Sequence, residues 1–67
     1  MAAKWKPQPK QVLLYWISSL DEPATHETLS AWEQHFVASI SFQVSRTGTL
    51  SEKQQNILEK IYAEKTK

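Results

Sequence analysis

The sequence predicts an all-α fold, a small three-helix bundle with helices at about 10–20, 31–46 and 52–64. Three observations carry this. Ser30-Ala31-Trp32-Glu33 and Ser51-Glu52-Lys53-Gln54 each match a capping box, in which serine and glutamate or glutamine satisfy one another's backbone at a helix start. The only glycine, Gly48, stands between them, where a left-handed residue ends a helix. Apolar residues recur at helical spacing before, between and after these signals.

Residues 1–8 read as a basic arm with Lys4, Trp5 and Lys6, and residues 9–67 as one helical domain. Pro7 and Pro9 hold the residues before them extended. The arm is either a flexible strand that touches phosphate and stacks on a base, or a terminus whose Trp5 folds back onto the bundle. Pro9 suits a helix start, where its missing N–H is no loss. Val12, Leu13, Trp16, Ile17 and Leu20 then share one face, with Leu14 and Tyr15 off it. The run Val12 to Ile17 is apolar throughout, more than one stripe of a surface helix requires. A buried strand is the competing reading, and helix is preferred because Pro9 starts it and no second strand offers pairing. The surplus apolar surface must meet another element, a second copy or a partner.

Pro23 stops the first helix, and Asp21 to Thr28 form a connector with room for one helical turn. In the second helix Trp32, Phe36, Val37, Ile40 and Val44 form the inner stripe, with Gln43 beside it. Ala31, His35, Ala38 and Phe42 gather on the far side. Phe42 there needs a second neighbour, either the first helix or a partner protein. Arg46 suits the negative end of the helix dipole. The connection from Gly48 to Ser51 is so short that the two helices lie antiparallel or steeply crossed. In the third helix Ile57, Leu58, Ile61 and Tyr62 face inward, and mixed Glu and Lys residues face water.

With 67 residues there is room for one domain and one marginal core. No cysteine is present, so neither a disulfide nor a thiolate metal site supports it, and a reducing compartment suits it. No apolar run is long enough to span a membrane, and the start lacks a signal-peptide core. A cytoplasmic location is the expectation. The net charge of +1 gives no global pull toward nucleic acid, which leaves a local basic patch.

Reactive chemistry finds little purchase. His26 and His35 lie nine apart without zinc-site spacing. No serine stands in a glycine-flanked elbow, and one glycine makes no phosphate loop. The expectation is a protein that is not an enzyme, with no catalytic residue, metal or cofactor. Nucleic-acid contact has partial support. Arg46, Lys53 and Gln54 sit at the corner where a helix start can hold a phosphate, and Lys4, Trp5 and Lys6 lie on the arm. Leu14, Tyr15 and Phe42 are the candidates for protein contact.

The pattern Trp32-Glu33, Phe36-Val37, Ser39-Ile40, Gln43, Gly48, Leu50-Ser51, Lys53-Gln54, Ile57-Leu58 and Ile61-Tyr62 resembles a recurrent phage-associated helical module. The pattern resembles tails of phage replication and recombination proteins. It also resembles the small companion of the UvsW recombination helicase of T4-like phages. The resemblance covers Leu29 to Tyr62, and residues 1–28 lie outside it. It implies a helical accessory of DNA transactions whose partner is a helicase or other DNA-processing enzyme. Gln43, Lys53 and Gln54 would be its polar positions. Gln43 and Gln54 flank the turn and are placed to hydrogen-bond across it.

The leading expectation is a non-enzymatic accessory of DNA replication, recombination or repair that binds a protein partner, nucleic acid or both. The alternative is a pure protein-interaction module that inhibits or recruits an enzyme. A structural homodimer is a third reading.

Overall fold

The computed structural model describes residues 6–66, all-α with four helices in that span. They are α1 (Lys10–Leu20), α2 (Pro23–His26), α3 (Ala31–Thr47) and α4 (Glu52–Lys65). The three long helices fall where the sequence puts them, to within a residue at each end. The connector's single turn is α2, started by Pro23 in its first position.

Both capping boxes form. The Ser30 N–H donates to Glu33 Oε1 at 2.8 Å, and the Glu33 N–H donates to Ser30 Oγ at 3.1 Å. The Ser51 N–H donates to Gln54 Oε1 at 2.9 Å, and the Gln54 N–H donates to Ser51 Oγ at 3.2 Å. The two starts share more than caps. Each reads Leu-Ser-x-x-Glu/Gln-Gln, and in each the leucine before the cap, Leu29 or Leu50, is buried in the core. Gly48 ends α3 at φ +76°, with its N–H on the Val44 carbonyl at 2.8 Å. A side chain there would be strained by the left-handed backbone.

α1 and α4 run parallel, since Gln8 meets Gln55 at one end and Trp16 stacks on Tyr62 further along. α3 runs against both: its last turn meets the start of α1, and its first turn meets the end of α4. α1 packs against both α3 and α4, which touch one another less. This accounts for the surplus apolar run on α1. Leu13, Ile17 and Leu20 are buried, with Trp16 half-buried, among Val37, Ile40 and Val44 from α3 and Leu58 and Ile61 from α4.

Trp32 departs from its expected place in the inner stripe. It is 60% exposed and stacks flat on Phe36, centroids 5.3 Å apart. Leu29 closes that end of the core instead, so Trp32 covers Phe36 from outside.

Gln55 is the one buried polar side chain among the described residues. Its Oε1 accepts the Gln8 N–H at 2.8 Å, and its Nε2 donates to the Lys6 carbonyl at 3.0 Å. An extended strand offers the carbonyl of one residue and the N–H of the second residue on to the same side. The two bonded residues, Lys6 and Gln8, both precede prolines. Each is therefore held extended before it docks. The described end of the arm is thus a strap fastened to α4. Lys4 and Trp5 lie outside the described residues.

At the far end Lys65 ties α4 to the start of α3. Its Nζ donates to the Thr28 carbonyl at 3.2 Å and lies 3.8 Å from Glu33 Oε1. The Ser30 N–H, and then Lys65, hold the Glu33 carboxyl below its ordinary value of 4.5, against an opposing push from partial burial. A carboxyl that is more acidic in the folded chain stabilises the fold fully above the ordinary value. That contribution is lost as pH falls through the lower, folded value. Thermal melts from about pH 6 to about pH 3 are expected to show this loss below the ordinary carboxylate range. Glu33→Gln, which keeps the cap acceptor and removes the charge, is expected to flatten it. An unchanged acid limb in that variant would assign the loss to other carboxylates.

Candidate nucleic-acid interface

The connection between α3 and α4 is closed by side-chain amides. Gln43 Nε2 donates to Gln54 Oε1 at 3.0 Å, and Gln54 Nε2 donates back to Gln43 Oε1 at 2.9 Å. Gln43 Nε2 also reaches the Thr49 carbonyl at 3.3 Å. Thr47 Oγ1 lies 3.0 Å from the Gln43 carbonyl and accepts the Thr49 N–H at 3.3 Å. Both lone pairs of Gln54 Oε1 are taken, by Ser51 N–H and Gln43, and one Nε2 hydrogen remains. A glutamine that reads an adenine edge presents both its oxygen and its nitrogen. Gln54 presents neither intact, so its place at the corner is to fasten the turn.

Arg46 and Lys53 are exposed, and among the described residues neither has a carboxylate partner. The Arg46 guanidinium lies 5.5 Å from the centroid of the Phe42 ring, one turn earlier on α3. Phe42 is 65% exposed, so α1 does not cover it. Lys53 lies on the rim of an open depression with Ser51, Glu52, Asn56 and Ile57. Of the N–H groups there, that of Gln54 is already used by Ser51, and Glu52 is among the lining residues. A phosphate does not seat in this depression on the helix start alone.

The parallel course of α1 and α4 adds what the sequence reading lacked. It brings the start of α1 to the same end as the α3–α4 corner. The Lys10 side chain passes Gly48, with its Cδ 3.6 Å from where a β-carbon would stand. Lys6 is held at this end through Gln55. Lys6, Lys10, Arg46 and Lys53, all exposed, therefore converge at one end of the bundle, with Glu52 as the acid among them. Asp21, Glu22, Glu27, Glu33 and Glu64 lie toward the opposite end. Among the described residues charge is thus polarised along the bundle, with Lys65 beside Glu33 at the acidic end and Glu59 and Lys60 midway. The dipole of α3 accounts for part of this, with Glu33 in its first turn and Arg46 in its last, and that of α1 does not. α1 has no acid in its first turn and no base in its last, and Lys10 opens it where the dipole disfavours a cation.

Leu14 and Tyr15, on the solvent side of α1, lie apart from Phe42 in the chain's fold. Tyr15 is 62% exposed and meets Tyr62 edge-on at 6.2 Å; Leu14 is 38% exposed. The three candidates for protein contact thus belong to two helices. Among the described residues no three acidic or imidazole side chains gather, and no helix is long and apolar enough to cross a membrane.

No protein-family model, curated protein or solved structure matches this chain.

A double-mutant cycle tests the amide pair. Gln43→Ala and Gln54→Ala each destabilise the bundle, and their coupling in urea titrations is expected at about 1 kcal/mol. Additive losses would mean that the pair holds nothing across the turn.

Proposed function

We propose that this chain is a non-catalytic cytoplasmic accessory of DNA replication, recombination or repair that binds the nucleic-acid backbone through its basic end. One observation carries the reading: two stretches far apart in sequence, the strap with the start of α1 and the α3–α4 corner, bring Lys6, Lys10, Arg46 and Lys53 to one end, while most acids among the described residues lie at the other. Lys10 and Lys53 stand at helix starts, where the dipole disfavours a cation, and a polyanion is what such a cluster serves. The resemblance of Leu29 to Tyr62 to a phage DNA-transaction module points the same way, with a helicase or another DNA-processing enzyme as partner.

Fluorescence anisotropy with labelled DNA at low salt tests this. Binding is expected to weaken as salt rises, with a log–log slope of about −3 for about four phosphate contacts. The double reversal Lys10→Glu with Arg46→Glu is expected to abolish binding, and Lys60→Glu, midway along α4, to leave it nearly unchanged. Equal effects of both changes would show attraction by net charge alone.

A second reading, pure protein interaction, is favoured by the contrast between two solvent faces. That of α4 carries Glu52, Lys53, Glu59, Lys60 and Glu64, an ordinary solvated surface. That of α3 exposes Trp32, His35, Ala38, Ser39 and Phe42 without a carboxylate among them. Such a face suits a protein partner. Affinity capture from expressing cells, with and without nuclease, separates the readings. A partner kept after nuclease and lost with Trp32→Ala supports this one; a partner released by nuclease supports the first.

A further inference from the structure

We infer that the basic end takes single-stranded nucleic acid in preference to duplex, with an unpaired base stacked on Phe42. This rests on the basic end binding nucleic acid and adds which form it binds.

Phe42 and Arg46 are one helical turn apart on the outer side of α3, at the edge of the basic end. Phe42 is 65% exposed, the most exposed of the large apolar side chains among the described residues. The Arg46 guanidinium lies over its ring, 5.5 Å from the centroid. The neighbouring surface is an open groove lined by His35, Ala38, Ser39 and Phe42. Ala38 and Ser39 are small, so the space beside the ring is clear for a flat group. His35, two turns before Phe42, closes the groove's other side.

These features match what an unpaired base requires: a π-face to stack on, room beside it, and cations for its phosphates. A nucleotide carries its phosphate one sugar away from its base. A base on Phe42 therefore brings its phosphate to Arg46 and the following phosphates toward Lys10 and Lys53. In a duplex every base face is already stacked on a neighbour, so a duplex meets the cations but not the ring. Sequence preference is expected to be weak, because every base has a π-face and the corner's amides Gln43 and Gln54 are committed to one another.

The test uses the full chain in fluorescence anisotropy at low salt. The probes are labelled oligothymidylate, a DNA duplex of equal length, and a labelled poly-glutamate peptide. The single strand is expected to bind about tenfold more tightly than the duplex. Phe42→Ala is expected to lower single-strand affinity by about tenfold, with duplex affinity and the thermal melt unchanged, and Phe42→Trp to retain it. Equal affinity for the two DNA forms, with no effect of Phe42→Ala, would overturn the stacking and leave the basic end's binding intact. Poly-glutamate bound as tightly as the single strand would also overturn it, because charge alone would then suffice. Binding to neither DNA would remove the nucleic-acid reading itself, and this inference with it.

Discussion

The packing of α1 between α3 and α4 is the contact on which the rest of the structure depends. In a chain of 67 residues one core must hold everything, and its centre is Leu13, Ile17 and Leu20. Each lies at or near zero exposure and faces two partners. α3 and α4 touch one another little, so the short Gly48–Ser51 connection would leave them a loose pair without α1 between them. The amide pair Gln43–Gln54, the buried Leu50 and the caps fix where the two helices leave that connection. α1 then fixes how far apart they stand. The parallel course of α1 and α4 follows, and it is this course that collects the cations at one end.

Local signals were readable in the sequence to within a residue. Both capping boxes, the helix stop at Gly48, the start at Pro9 and the stripe Leu13–Ile17–Leu20 are written in short spacings that act through neighbouring backbone. The reading of Gln43 and Gln54 as partners across the turn also depended on eleven residues only, and it holds. What escaped was whatever depends on how elements meet. Lys10 belongs to the basic end only because α1 and α4 are parallel, a fact of topology. Trp32 sits on the right stripe by period, but Leu29 reaches the core first from outside the helix. Gln55 carries a bond across nearly the whole chain, and no periodicity marks it. Two weak signals did exist: the repeated Leu-Ser before each helix, and the two pre-proline residues of the arm.

Charge is where composition misled most. A net charge of +1 describes a sum, while a polyanion responds to the field at one surface. Seven acids and eight bases nearly cancel on paper. Among the described residues most of them separate in space, because the α1–α2–α3 connection carries Asp21, Glu22 and Glu27 to the end away from Lys10 and Arg46. That separation opposes the dipole of α1 rather than relieving it.

The Gln55 clasp has a consequence for how this chain tolerates change. It grips a carbonyl and an N–H and touches no side chain of the strap through a hydrogen bond. Lys6 and Gln8 can therefore drift in identity without loosening the hold. What cannot drift independently are the two prolines that keep those residues extended and the amide that meets them. Among related chains the trace of this fastening would be a joint one: prolines at alternate positions ahead of the first helix, kept or lost together with the glutamine five residues past the last leucine before α4.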